Sequence, residues 1–400
     1  MKFYIAFFIV FVFGSGYDSA QASSVDSIKI SILTCAPGDQ LYSIYGHNAI
    51  RVNNAFTATD LVYNYGTFDF STPGFAIKFM RGKLPYMLSM SDFSDFLGEY
   101  YYFKRNVTEQ VLHLDSLSKL KILHYLEVNM RPENRAYKYD FFMDNCATRL
   151  RDILVTNVPN LTWDQSWASG KTFRQIIKEY QKSMPWTNFG IDLIIGSPAD
   201  SKTTLLEESF IPEYLSTALE HAVYTDANRT DLQLHKVKIL GFDKRFINLN
   251  PFISPVFIFC ILLLLECFIL SQFIKGKPRS WVKYYDILWV ILITLSSLLM
   301  IIMWFGTDHI PTKNNWNILW ASPLIPAWWW GLHSRKSIVV WLAYVIAISL
   351  LLSMVNAIPG VQFLPQYFNP IVIIICAILL LKGYRLCKGI NKSVDFDIMK

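Results

Sequence analysis

Cys146 has surroundings suited to nucleophilic chemistry. It stands in Tyr139-Asp140-Phe141-Phe142-Met143-Asp144-Asn145-Cys146-Ala147-Thr148-Arg149-Leu150, directly after an Asp/Asn pair of the kind that caps helices. A cysteine there meets unpaired backbone N–H groups and the positive end of the helix dipole, which favour thiolate over thiol. The same amides suit a developing oxyanion. A thiolate nucleophile needs a base, and the sequence offers seven histidines. His113, His124, His221 and His235 have the neighbours of surface or helix-face residues. His309 and His333 fall at the edges of apolar segments. His47 is set apart, because Tyr45-Gly46-His47-Asn48-Ala49-Ile50-Arg51-Val52 reads as a strand opening on the histidine. The glycine before it permits close backbone approach. Cys146 and His47 together would support covalent acyl chemistry. The plainer reading of His47 is a hydrogen-bonded structural histidine.

These side chains must be positioned by the segments around them. Residues 28–33, 47–53 and 61–66 have the pattern of strands, with Asn53-Asn54 starting a turn region. Residues 116–130 carry Leu117, Leu120, Ile122, Leu123 and Leu126 at helical spacing, and Pro132 ends that helix. A second helix is expected from 144–146 to about 156, with Leu150, Ile153 and Leu154 on its buried face. A third is expected over 172–182.

The composition sets the compartment. The 400 residues are 52% hydrophobic, 16% aromatic and only 17% charged, and the mean hydropathy is +0.28. That excludes disorder, collagen-like repeats and a small disulfide scaffold. The net charge of +6 is largely explained by basic loops, so nucleic-acid binding is not indicated. Residues 1–22 read as a signal peptide: Lys2, a short apolar run from Phe3 to Phe13, and Ala20-Gln21-Ala22 before Ser23. Five apolar segments follow at 251–274, 284–306, 316–332, 338–356 and 369–381, most near the ~20 residues that cross a bilayer. Lys275, Lys277, Arg279 and Lys283 separate the first two segments, and Arg335 with Lys336 the third and fourth. Lys382, Arg385, Lys388 and Lys392 follow the fifth. Positive charge stays inside. The expectation is a multi-pass inner-membrane protein with a periplasmic domain over 23–250, a five-helix transmembrane domain over 251–400 and a cytoplasmic C-terminus. Cys260, Cys267 and Cys376 then lie in spans and Cys387 on the cytoplasmic side. Cys35 and Cys146 are exported, and a disulfide between them is the rival to a free nucleophile.

The His-x-Ala-Ile-x-Val strand, followed later by Asn-Cys at a helix start, resembles the permuted branch of the NlpC/P60 papain-like fold. Lecithin:retinol acyltransferase and its phospholipid acyltransferase relatives belong to that branch, in which the histidine strand precedes the cysteine helix. More closely, four stretches resemble the exported domain of the Lnb family, the Bacteroides-type lipoprotein N-acyltransferases. They are Thr34-Cys35-Ala36-Pro37-Gly38, Tyr45-Gly46-His47, Tyr63-Asn64-Tyr65-Gly66-Thr67-Phe68-Asp69-Phe70 and 139–149. The tail is similar too, with Asp308-His309 and Asn315-Trp316-Asn317-Ile318-Leu319-Trp320. The implied fold class is α+β, a circularly permuted NlpC/P60 papain-like domain fused to an all-α five-transmembrane-helix domain. The implied nucleophile is Cys146 and the base His47. Asn64 would orient the imidazole, as in Cys-His-Asn enzymes. Many permuted relatives carry a second histidine there, and Asp69 is the alternative. The role of Cys35 stays open between a regulatory disulfide, support for the active-site wall and packing.

The implied activity is apolipoprotein N-acyl transfer, without a metal or other cofactor. A phospholipid would be the acyl donor, and a diacylated lipoprotein the acceptor through the α-amine of its S-diacylglyceryl-cysteine. The outer loop 307–315 and Asn317 are expected to seat a substrate through Asp308, His309, Asn314 and Asn315. An exported NlpC/P60-like cysteine amidase or endopeptidase acting on cell-wall peptides would use the same pair, but would need only one anchor. A non-catalytic scaffold with a Cys35–Cys146 disulfide is the third class.

Overall fold

The structure is a computed structural model that describes residues 25–225, 231–233, 235–243, 250–277, 279–334 and 338–398. The expected signal peptide, and Arg335 and Lys336, lie outside the described residues. The N-terminal half is built on a seven-stranded antiparallel sheet in the order β10-β5-β1-β2-β3-β4-β6. Its central strands are β1 (Ile28–Cys35), β2 (His47–Asn54) and β3 (Thr59–Thr67). The outer ones are β4 (Pro85–Asp92), β5 (Val107–Val111), β6 (Ala136–Lys138) and β10 (Lys236–Leu240). A smaller sheet pairs β7 (Leu161–Thr162), β8 (Val223–Thr225) and β9 (Asp231–Gln233). The three expected strands are present and run one to three residues longer.

The β3–β4 connection holds a short helix α1 (Phe75–Met80). Helix α2 (Phe93–Tyr102) covers one face of the sheet with Phe96 and Tyr100 against Leu33, Val62 and Val107. Helix α3 (Ser116–Met130) and helix α4 (Cys146–Asn157) cover the other. α3 starts where Asp115 accepts from the Ser118 N–H at 2.6 Å. Its buried apolar residues are Ile122 and Leu126, while Leu117 and Leu120 are exposed; the apolar stripe is broader than the buried face. α4 buries Leu150, Ile153 and Leu154 against Ile30, Ile32 and Ile50, the face its spacing predicts. Helices α5 (Phe173–Tyr180), α6 (Pro185–Ile194), α7 (Leu205–Glu208) and α8 (Pro212–Glu220) complete this half.

The C-terminal half is helical: α9 (Pro255–Ile274), α10 (Val282–Phe305), α11 (Leu324–Ser334), α12 (Ile338–Asn356) and α13 (Ile371–Ile398). Among the described residues, α9 and α10 are long and apolar enough to cross a membrane. Two expectations need correction. Residues 316–332 are not one helix: a 3-10 turn at Trp316–Leu319 precedes the eleven-residue α11. Pro323 and Pro326 withhold the N–H groups that a continuous helix would use. Lys382 and Arg385 are not loop charges. α13 runs on past residue 381 and buries both against Glu266 of α9 and Asp286 of α10.

Candidate active site

The turn before α4 is built by its own polar side chains. Asp140 accepts from the Phe142 and Met143 amides, and Asp140 and Asp144 exchange backbone hydrogen bonds of 3.0 and 2.9 Å. Asn145 then caps the helix, its Oδ1 accepting from the Ala147 and Thr148 N–H groups at 2.8 and 3.0 Å. Thr148 Oγ1 accepts from the Asn145 N–H at 2.7 Å, closing the reciprocal box. Asn145 Nδ2 donates to the Phe141 and Phe210 carbonyls. Cys146 is therefore fixed as the first residue of the helix. Behind it Asp144 grips Arg149 at 2.6 and 2.8 Å, and that guanidinium lies over the Tyr137 ring at 3.5 Å.

His47, the first residue of β2, hydrogen-bonds the Cys146 thiol. Its Nε2 lies 3.2 Å from Oδ1 of Asn64, which leaves Nδ1 for the sulfur. Just after Asn64, β3 departs from regular pairing with β4, between Asn64 and Thr67. Gly66, at φ +92°, lies inside that irregularity, and a Cβ there would come 3.7 Å from Cβ of Cys146. All three side chains, Cys146, His47 and Asn64, are half-buried rather than sealed.

The charges reinforce each other. Burial raises the Cys146 thiol's affinity for its proton, but the His47 charge and hydrogen bond, with the backbone N–H groups of Asn48 and Ala147, hold the thiol below its ordinary range. Burial works against an imidazolium, yet the Cys146 charge and the bonds to Cys146 and Asn64 raise His47 above its ordinary value. Both shifts run in the direction that favours a thiolate–imidazolium pair, whose titration belongs to the two groups together. Tyr139 and Tyr137 lie close enough to feel the thiolate, which adds to the burial that keeps both phenols protonated.

Cys35 faces His47 across the β1–β2 ladder. Cys35 and Cys146 are both free thiols. Cys35 is buried and bonded to Tyr100, and burial pushes its thiol up to about 12. It packs with Leu33, Ala49 and Val107. Asp69 does not reach His47; it is exposed and accepts from the Ser71 amide and hydroxyl.

Among the outer-loop residues, Asn315 and Asn317 are buried in contacts within the chain. Asn315 is fully buried, with Nδ2 donating to the Leu193 carbonyl at 2.8 Å and Oδ1 accepting from the Asn317 amide and Gln366 Nε2. Asn317 Nδ2 donates to the Asp192 carbonyl at 2.9 Å. The Asn314 carbonyl accepts from the Ser197 N–H. The Asn315 and Asn317 side chains are thus spent joining the two halves of the chain, while Asn314 is exposed. Asp308 pairs with Lys138 at 2.7 Å, and His309 Nε2 lies 3.2 Å from the Phe79 carbonyl. Sequence reasoning missed the Asn48 amide, because it reaches the sulfur only through tertiary packing.

Residues 17–180 match the Lnb N-terminal periplasmic domain. Residues 247–392 match the Lnb transmembrane domain. No curated protein and no solved structure matches the chain. The first match contains Cys146, His47 and Asn64, and the second contains all five C-terminal helices up to residue 392. With a periplasmic sheet domain and a transmembrane domain of one family in the same order along one chain, the protein belongs to the Lnb family.

Proposed function

We propose that this protein is an apolipoprotein N-acyltransferase whose exported domain is a permuted papain-like fold with Cys146 as nucleophile. The observation that carries the reading is the half-buried Cys146 at the start of α4, its thiol lowered by His47, which Asn64 holds, on a chain that also has a transmembrane domain. The histidine strand before the cysteine helix is the permuted order. Cys146 thiolate attacks the acyl ester carbonyl of a phospholipid, while the Asn48 and Ala147 amides stand beside the sulfur to favour developing negative charge. The ester C–O bond breaks, His47 gives its proton to the departing glycerol oxygen, and lysophospholipid leaves. The acyl group is then a thioester on Cys146. The α-amine of S-diacylglyceryl-cysteine attacks that thioester, passes a proton to His47, and the C–S bond breaks to give the amide and regenerate the thiolate. Asn64 holds the ring through both halves.

Joining the site to a membrane domain suits this chemistry, because both substrates keep their chains in the bilayer and tethering raises the effective concentration. The test is the intact mass of a lipoprotein N-terminus from cells with and without the active protein. One additional acyl group is expected with the active chain and none with Cys146→Ala. Triacylated lipoprotein in the Cys146→Ala cells contradicts the nucleophile, and release of cell-wall peptides instead of acylation would favour an amidase.

A further inference from the structure

The β3–β4 connection carries an apolar element that the chemistry above does not use. Helix α1 reads Phe-Ala-Ile-Lys-Phe-Met and buries none of its residues. Ile77 is 61% exposed and Phe79 50%, and nearby Phe70 is 72% exposed. A contiguous apolar surface of this kind on a folded domain marks a contact site for another molecule or a membrane.

Its position says which. α1 is fastened to the point where α10 leaves the helical bundle. The Asp308 N–H donates to the Arg81 carbonyl at 2.9 Å, His309 bonds the Phe79 carbonyl, and Asp308 holds Lys138. Gly82 approaches so closely that a Cβ there would meet the His309 ring at 3.1 Å. α10 ends at Phe305, only a few residues earlier, and Phe305 is itself exposed. The exposed side chains of Arg81 and Lys83 sit at the same edge, where they complement phosphate as Lys and Arg do at a membrane surface. From α1 a chain of aromatic rings leads inward. Phe79 stacks on Phe75 at 6.1 Å, Phe75 meets Phe68 at 5.7 Å, Phe68 meets Tyr86 at 5.2 Å and Tyr86 stacks on Tyr139 at 4.3 Å. Tyr139 opens the turn that leads to Cys146 and is near enough to feel its charge.

We propose that α1 dips into the outer surface of the bilayer and receives a phospholipid, its phosphate against Arg81 and Lys83 and its acyl region led along the rings toward Cys146. The lipid contact rests on the geometry of α1 alone; the direction of the acyl chain rests on the proposed transferase reading. The test uses the full chain carrying Cys146→Ala, so that no acyl transfer is required, in nanodiscs of phosphatidylethanolamine and phosphatidylglycerol. p-Benzoylphenylalanine is placed at Ile77, at Phe79 or, as a control, at Phe56, which is 74% exposed in the β2–β3 turn. After irradiation, intact mass should show one added phospholipid at the first two positions, roughly tenfold above the control, as interfacial insertion requires. Absence of lipid adducts at both positions, equal adducts at Phe56, or cross-links to protein alone would overturn the proposal. Lipid adducts together with wild-type protein that never acylates lipoprotein would support the contact and remove the transferase reading instead.

Discussion

At Cys146 the decisive quantity is the position of one proton. The thiol is held below its ordinary range by the His47 charge, and His47 is held above its own by the thiolate. Both shifts favour the coexistence of thiolate and imidazolium. Acid removes the thiolate by protonation; alkali removes the imidazolium that the leaving group needs. Alkylation of Cys146 by a small neutral reagent should thus reach its plateau at lower pH than for a free cysteine. His47→Ala should move the rise to higher pH, whereas an unmoved profile would mean that His47 does not set the thiolate. Asn64→Ala removes one bond to a charged ring, worth ~1.5–3 kcal/mol, and should slow turnover by roughly tenfold to a hundredfold. Steady-state acylation rates check this, with wild-type turnover as the contrary result. Cys146 and His47 were legible because a helix cap and a strand start are local patterns. Asn64 is the better-placed of the two orienting candidates in sequence, and its contact with the ring, against the Asp69 contacts with Ser71, shows only in three dimensions.

Among the elements, the membrane helices contain a buried network that their apolar sequences conceal. Lys382 lies 2.8 Å from Glu266 and 2.9 Å from Asp286. Arg385 lies 2.6 Å from Asp286 and 3.3 Å from Glu266. Two cations meet two anions, so α9, α10 and α13 are pinned without net charge. Removing one partner leaves a buried charge uncompensated, at about 3–5 kcal/mol. Lys382→Met should therefore lower the melting temperature in detergent markedly, and adding Glu266→Gln should recover part of the loss. Equal and additive losses from the two changes would contradict a shared network. Counting Lys382 and Arg385 with the basic tail is a natural reading of sequence, because the partners that bury them lie between 96 and 119 residues away in the chain. The α3 and α4 spacings, by contrast, gave those helices almost to the residue, with local caps at Asp115 and Asn145 to define their starts.

The whole molecule is held together by a polar seam between its two halves. The Gly196 N–H donates to the Pro311 carbonyl at 2.8 Å, Asn315 and Asn317 bind the end of α6, and Asn369 Nδ2 donates to Asp192 at 2.8 Å. Arg174 is buried and holds Asp192 and Asp200 from the other side. Such a seam joins residues far apart in sequence, so Asn315 could be singled out from its motif but not assigned to docking. A Cβ on Gly196 would fall 1.8 Å from the Lys313 carbonyl oxygen, a distance no side chain tolerates. Gly196→Ala should therefore open the seam and increase proteolysis between the halves, while Cys146 still reacts with a small thiol reagent; unchanged proteolysis would show that the seam is dispensable. The central claim, that Cys146 carries the acyl group between two membrane substrates, is tested most directly by mixing purified protein with phospholipid alone, quenching rapidly in acid and weighing the intact chain. A mass gain of one fatty acyl group on Cys146 is expected, removable by neutral hydroxylamine and discharged by a peptide bearing a free N-terminal diacylglyceryl-cysteine. Lysophospholipid formed without any adduct on Cys146 would contradict it.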